Sequence, residues 1–339
     1  MRAFEEEFAE ACGAAHCVAV SSGTDALALG LRALGLRAGE EVVVPTNSFV
    51  ATAEAVSHAG GVPALADCDG QTYTIDPGGV AARACETVRG VIGVHLYGRP
   101  ADWDALEALA RPQGWWTVED AAQAHLARYR DRPVGSLGHL AAFSFYPAKN
   151  LGAPGEGGAV TTGDPELAQE LRMLRDHGQA HRYRSDLIGY NARMSELVAA
   201  TLRIKLPYLP EWTEARRRVA AWYRQRLADH PDIGLPVEPD WARSVHHLFV
   251  VAVSQRDRVQ TLMEEAGVET GLHYPVPIHL QPAYRHLGHD VGAFPQAELA
   301  AESLLSLPMF PTLREDQVDY VCDVLGRSVQ QARNRAGPR

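Results

Sequence analysis

The chain has 339 residues, 46% of them apolar and 22% charged, with a formal net charge of −10; that length suffices for one large or two moderate domains with cores of their own. So acidic a balance excludes a general nucleic-acid binder, which needs a basic face. No apolar run approaches the ~20 residues that span a bilayer, and the acidic start MRAFEEEF carries no signal-peptide core, so a cytoplasmic protein without membrane or nucleic-acid partners is expected. The five cysteines (Cys12, Cys17, Cys68, Cys85 and Cys322) form no CxxC pair, which fits reduced thiols rather than a disulfide framework or a metal site.

The first strand, CVAV (17–20), runs into Ser21-Ser22-Gly23-Thr24 and at once into a helical stretch, DALALGLRALG. A helix start of this kind leaves backbone N–H groups free at the positive end of the dipole, which suits a phosphate; taken alone, it is also an ordinary N-cap. EVVVP (41–45) and PALAD (63–67) flank the helical ATAEAVSHAG, and VIGVH (91–95) precedes the helical DWDALEALARP. WWTVED (115–120) closes on Glu119 and Asp120. A carboxylate at the edge of so apolar a strand costs free energy unless a cation pairs with it. LAAFSF (140–145) and GAVTT (158–162) follow. Short, nearly unbroken hydrophobic strands separated by helices indicate an α/β fold with a mostly parallel sheet, whose ligands bind beyond the carboxyl ends of the strands.

The stretch FSFYPAKNLGAPGEGGAV (143–160) holds a lysine among aromatics, prolines and glycines, and of 32 basic residues only Lys149 and Lys205 are lysines. Under that bias a retained lysine does something arginine cannot, namely lose its proton near neutral pH and attack a carbonyl. Desolvation among the aromatics lowers its pKa toward that free amine, and the glycines leave room for a flat ligand against the backbone. Lys149, Asp120 and the Gly23–Thr24 turn form one set suited to pyridoxal 5′-phosphate: covalent attachment, a partner for the ring nitrogen, and a phosphate site.

After about residue 190 the texture changes. MSELVAATLRIKL and EWTEARRRVAAWYRQRLADH read as two long helices broken by PYLPE. HHLFVVAV reads as a strand, with RDRVQTLMEEAG and EDQVDYVCDVLGRSVQQ as helices of a smaller α+β unit. The boundary is placed near 210, giving domains 1–210 and 211–339, and the tail QQARNRAGPR reads as a frayed, solvated end.

SSGTDAL, VHLYGRPADWDAL, VEDAAQAH, GSLGHLAAFSFYPAKNLGAPGEGGAV, LRDHG, GYNARMSELVAATLR, GLHYPVPIHLQPAY and SLPMFP resemble, in order, the motifs of the DegT–StrS family of sugar aminotransferases. The resemblance implies the aspartate-aminotransferase fold: a large domain on a mostly parallel seven-stranded sheet plus a smaller C-terminal α+β domain. It also implies a homodimer with shared active sites. Lys149 then bonds the cofactor aldehyde and moves protons, Asp120 pairs with the ring nitrogen, and Gln123 lies beside the 3-oxygen. Phe49, in NSFVAT, stacks on the ring; Gly23, Thr24 and Ser144 hold the phosphate; Asn191 reaches the phosphate of the other subunit. The implied reaction passes an amino group from L-glutamate to a nucleotide-linked keto-sugar. The branch that aminates C3 of dTDP-3-keto-6-deoxyhexoses fits FSFYP-x-KNLGA best, and Tyr146, Tyr183, His273 and Tyr274 are the candidates for touching the sugar nucleotide.

A metal at His273 and His279 lacks further ligand spacing. C4-aminating and cyclitol aminotransferases, and a regulatory member that binds cofactor without turnover, are the alternative readings on the same scaffold. Relatives usually extend beyond the FEEEF helix. Ser185 and Glu156 depart from common family residues, which bears on the sugar rather than on the chemistry.

Overall fold

The protein is described as a computed structural model over residues 1–335. Seven strands form the main sheet: β1 (His16–Val20), β2 (Glu41–Pro45), β3 (Val62–Ala66), β4 (Val88–Val94), β5 (Trp116–Asp120), β6 (Leu140–Ser144) and β7 (Gly158–Thr162). They lie in the order β1-β7-β6-β5-β4-β2-β3. All pairings are parallel except the two that β7 makes, with β1 and with β6. Alternate side chains of one strand enter different cores: Cys17, Ala19 and Val43 join one apolar cluster, while Val18, Val20, Val42 and Val44 join another. A sheet covered on both faces explains why these strands read as unbroken hydrophobic runs.

Parallel strands put their carboxyl ends along one edge. The chain leaves that edge at Ser21, Thr46, His95, Ala121 and Phe145, and the antiparallel β7 starts there, with Gly158 opposite both Val20 and Ser144. Helices α1 (Arg2–Cys12), α2 (Gly23–Ala33) and α3 (Ala51–Ala59) precede or follow the first strands. Ser22 caps α2 by accepting from the Asp25 N–H at 3.0 Å.

The expected break at PYLPE is a change of helix type. Between α4 (Glu196–Lys205) and α5 (Leu209–Leu227) lies a single 3-10 turn, Leu206–Tyr208. Pro210 falls in the first turn of α5, where its missing N–H costs no hydrogen bond. A third apolar cluster joins Val219 and Tyr223 of α5 to Phe249, Val251, Leu305 and Val318. Its antiparallel sheet orders Ile233–Gly234 (β8), Phe249–Val253 (β9) and Leu304–Leu307 (β10) as β8-β9-β10. β9 is shorter than the expected HHLFVVAV strand, because His246 and His247 precede it as irregular backbone. Arg216 of α5 donates from Nη1 to the carbonyls of both, at 3.2 and 3.3 Å, and to Met309 O at 3.0 Å.

The C-terminal helix α6 spans Glu315–Arg335, which corrects the expectation of a frayed end from residue 330. Val329 and Ala332 are buried on its inner face, and that burial keeps the helix going. Residues 336–339 of the tail lie outside the described residues. Among the described residues no helix is long and apolar enough to cross a membrane.

Candidate active site

The strand ends gather most of the expected residues. Asp120 ends β5 and is buried; its Oδ2 accepts from Thr52 Oγ1 at 2.8 Å and its Oδ1 from the Ala122 N–H at 3.2 Å. Burial pushes the Asp120 pKa above the usual carboxylate range, opposed by those two donors and by the charge of Lys149. Glu119 points elsewhere. It is wholly buried, accepts from the N–H groups of Gly135, Leu137 and Gly138 at 2.8 to 3.1 Å, and meets His95 Nε2 at 3.1 Å. Three backbone donors and an imidazole, not a pairing cation, accommodate its carboxylate, and it pins the loop before β6.

Lys149 follows a turn in which its N–H donates to Tyr146 O at 2.8 Å, with Pro147 at the second position. Burial pulls its amine below the ordinary lysine pKa, opposed by the charge of Asp120. Among the described residues its Nζ has no hydrogen-bond or ion-pair partner. Lys205, the other lysine, donates to the carbonyl of Gly152 on the same loop. At two of the loop glycines the expected ligand space is taken by the chain itself: a Cβ on Gly152 would lie 2.2 Å from Pro147 O, and one on Gly158 2.1 Å from Ser22 O, whereas nothing lies within 4 Å of one on Gly155.

At the start of α2 the N–H groups of Gly23 and Thr24 have no acceptor among the described residues. A Cβ at Gly23 would lie 2.7 Å from the Cβ of Ser144, so only glycine keeps the helix start this close to the end of β6. Two free donors beside a serine hydroxyl make an anion cradle. Phe49 is 52% exposed, an unusual state for phenylalanine, with its ring 5.3 Å from that of Tyr274. Gln123 is buried, with Oε1 accepting from the Tyr97 N–H at 2.6 Å and Nε2 donating to Tyr274 Oη at 3.1 Å.

His273 joins the group through Ser306, whose Oγ lies 2.9 Å from Nδ1, and through Tyr97, whose hydroxyl donates to His273 O at 2.6 Å. Burial first, and the Lys149 charge second, lower its pKa. Burial pushes Tyr274 up to about 12, with Asp120 adding to the rise. Tyr146 is half exposed beside Lys149. His279 spends both ring nitrogens, on Thr46 Oγ1 at 2.9 Å and Glu298 Oε1 at 3.0 Å.

Two expected residues stay apart within one chain. Tyr183 is 86% exposed at the turn of a small hairpin, and Asn191 is exposed, with Oδ1 accepting from Arg193 Nη2 at 2.8 Å. No hydrogen bond, ion pair or ring contact among the described residues ties either to Lys149 or Asp120.

Residues not anticipated from the sequence include Thr52, Tyr97, Asn150 and His247. Thr52 sits three residues after Phe49, and a hydroxyl just inside a helix start at a strand end was the available signal. The others meet the site only through tertiary contacts.

These positions suit pyridoxal phosphate: a desolvated, unpartnered amine, a buried carboxylate held by a hydroxyl, a half-exposed aromatic and an anion cradle. The family pattern described as DegT/DnrJ/EryC1/StrS aminotransferase matches residues 1–326. This chain belongs to that family. Its members depend on pyridoxal phosphate, and the protein is a transaminase by family. It is 48% identical to the erythromycin biosynthesis sensory transduction protein EryC1 of Saccharopolyspora erythraea, over 95% of this chain and 88% of that one. It is 46% identical to a dTDP-3-amino-3,4,6-trideoxy-alpha-D-glucose transaminase of Streptomyces venezuelae, over 96% and 86%. The crystal structure of S. venezuelae DesV, solved with a reaction intermediate, superposes with a TM-score of 0.95 at 46% identity, covering 97% of this chain and 89% of that one. The aspartate-aminotransferase-like fold expected from the sequence is the fold of this family member.

Proposed function

We propose that this aminotransferase moves an amino group from L-glutamate to a nucleotide-linked keto-sugar, at C3 of a dTDP-3-keto-6-deoxyhexose. The observation that carries the reading is Lys149: a desolvated, unpartnered amine in the electrostatic reach of Asp120, in a chain 46% identical to a dTDP-amino-sugar transaminase.

Bound pyridoxal phosphate supplies an electron sink that stabilises negative charge at the carbon of the amine being transferred. The rest falls to the chain. Asp120, favoured in its charged form by the Thr52 hydroxyl against the effect of burial, would pair with the ring nitrogen and hold its proton in place. Lys149 would take up and return the proton at the amine-bearing carbon, a task suited to a base whose pKa burial has lowered. Gly23, Thr24 and Ser144 would hold the cofactor's phosphate, and Phe49 and Gln123 would bind its ring. His273, Tyr274 and Tyr146 line the approach for the sugar nucleotide.

The protein works as a homodimer in this reading, with Asn191 and Tyr183 serving the partner's site. Exposed apolar side chains support it: Tyr183, Ile188 and Leu197 are 81% to 88% exposed around the hairpin and the start of α4. A boundary near residue 210, at the start of α5, and a cytoplasmic location complete the proposal.

The name of the EryC1 relative raises a regulatory reading, in which cofactor is bound without turnover. An intact lysine and carboxylate disfavour it. One experiment separates the two. Glutamate should convert the yellow protein to the amino form of its cofactor, and a panel of 3-keto and 4-keto nucleotide sugars should then restore the yellow band selectively. A band that no amino acid changes would leave a cofactor-binding protein and refute the transaminase assignment; restoration by a 4-keto sugar or a keto-cyclitol would move the acceptor.

A further inference from the structure

The residue after Lys149 is bolted to a distant segment. Asn150 is buried; its Nδ2 donates to Val245 O at 3.2 Å, which leaves Oδ1 as the acceptor facing His247 Nδ1 at 3.1 Å. His247 therefore carries its hydrogen on Nδ1. The segment around it is held on three sides. Val245 N–H and Ser244 Oγ both donate to Gly98 O, at 2.9 and 3.0 Å, and the Arg216 guanidinium caps the carbonyls of His246 and His247. Gly98 directly follows Tyr97, whose N–H holds Gln123. A single short stretch, 244–247, thus connects the lysine loop with the loop that fixes Gln123, and it leads directly into β9.

We propose that His247 is a positioning residue for Lys149: its Nδ1–H, through Asn150 Oδ1, fixes the backbone immediately after the lysine, so that the amine stays in its desolvated place facing Asp120. Burial first, and the Lys149 charge next, keep the imidazole neutral, with Arg216, His125 and His273 adding to the effect. The Nδ1–H tautomer follows from the hydrogen bonds, and neutrality preserves it through the working range. Without the imidazole, the loop keeps its Tyr146 turn, the Asn150–Val245 bond and the Lys205–Gly152 bond, but the backbone just after Lys149 is less fixed, and the amine moves toward water, where it regains its proton.

The inference rests on Lys149 being the cofactor lysine, and its test needs no turnover. Lys149 and Lys205 are the only lysines, so acetylation of the apoprotein at a series of pH values, read by peptide mass spectrometry, gives the ionisation of Lys149 with Lys205 as reference in the same sample. The wild type should label Lys149 through a midpoint below 10.5. His247→Leu and Asn150→Ala should each raise that midpoint by about half a pH unit or more, and the double variant should raise it no further than Asn150→Ala alone, because that substitution already removes the bond to His247 along with the one to Val245. His247→Asn, whose amide N–H can stand where Nδ1–H stood, should retain the wild-type midpoint. In the holoenzyme, His247→Leu should lower kcat about tenfold or more with little change in KM, as misplacement of a reacting group does. Midpoints unmoved in the single variants, or shifts that add in the double variant, would overturn the proposal; if His247→Leu does not fold, Asn150→Ala decides it alone. Borohydride fixation separates the two levels. Wild-type protein that fixes no cofactor on Lys149 sinks the functional reading and this inference together, whereas normal fixation with an unmoved midpoint sinks the inference only.

Discussion

Thr52 donates its hydroxyl to Asp120 at 2.8 Å, and Ser48 Oγ stands 2.8 Å from the same threonine oxygen. The first turn of α3 thereby supplies what burial takes from the carboxylate, a partner that favours its charged form. Hydrogen bonds to charged groups contribute about 1.5–3 kcal/mol. Thr52→Val, nearly equal in volume, should weaken cofactor binding about tenfold to a hundredfold. Equilibrium dialysis of cofactor against the variant checks this, and an unchanged affinity would remove Thr52 from the site.

The raised pKa of Asp120 has a consequence for the apoprotein. A carboxyl that holds its proton more tightly folded than unfolded contributes stability fully below the ordinary value of 3.8, and that contribution is lost as pH rises through the folded value. At neutral pH the buried carboxylate is therefore a cost in the absence of cofactor. Asp120→Asn should melt higher than wild type as apoprotein at pH 7, the gap should close below pH 4, and cofactor affinity should collapse. Thermal melts of both apoproteins across pH test the sign.

Gly23→Ala places a Cβ 2.7 Å from the Cβ of Ser144. Overpacking of this kind costs about 1–3 kcal/mol, and here it also pushes the start of α2 away from β6. Denaturation should show the stability loss. Titration with inorganic phosphate and with cofactor should show both weakened, while Thr24→Ser leaves the backbone cradle intact.

Phe49 is 52% exposed, so its truncation removes little buried area. Phe49→Ala should change unfolding stability by no more than about 0.5 kcal/mol. If Phe49 stacks on the cofactor ring, that contact is worth about 0.5–1.5 kcal/mol, so cofactor affinity should fall about twofold to tenfold and Phe49→Tyr should restore it. A stability loss as large as the affinity loss would return Phe49 to the core.

If Asn191 completes the partner's site, inactive subunits should complement each other. Lys149→Ala and Asn191→Ala homodimers, mixed and reassembled, should regain up to about half the wild-type activity in each heterodimer, since one of its two sites then has both residues. Ile188→Asp and Leu197→Asp should shift the protein to monomers in sedimentation and abolish complementation. Activity that never exceeds the homodimers' would place Asn191 outside the shared site.

Part of the candidate site was readable because Lys149, Asp120 and the Gly23–Thr24 turn each carried a local signal. A lysine in a chain otherwise furnished with arginine, a carboxylate pair after an apolar strand and a Gly-Thr helix start each mark a chemistry that side-chain type and strand position alone restrict. The strands themselves were legible for the same reason: buried on both faces, they lose the alternation of a half-exposed strand and stand out as continuous runs. Phe49, Gln123, Ser144 and His273 took their expected roles from family motifs rather than from any local rule.

Three things were settled by the tertiary structure. The partners that the adjacent carboxylates find depended on the pleat: Glu119 turns to backbone donors on the loop before β6, and Asp120 to Thr52. Gly152 and Gly158 after Lys149 serve close backbone approach, which spacing does not distinguish from room for a ligand. The link from Asn150 to His247 spans 97 residues, and no periodicity or propensity reaches that far. Amino-acid sequence by itself determined the element types and the reactive groups, because those follow from hydrophobic pattern and side-chain chemistry over a few neighbours. The orientation of each group, its hydrogen-bond partner and hence its protonation state were decided only when the chain closed on itself, because burial and contact are properties of the packed molecule.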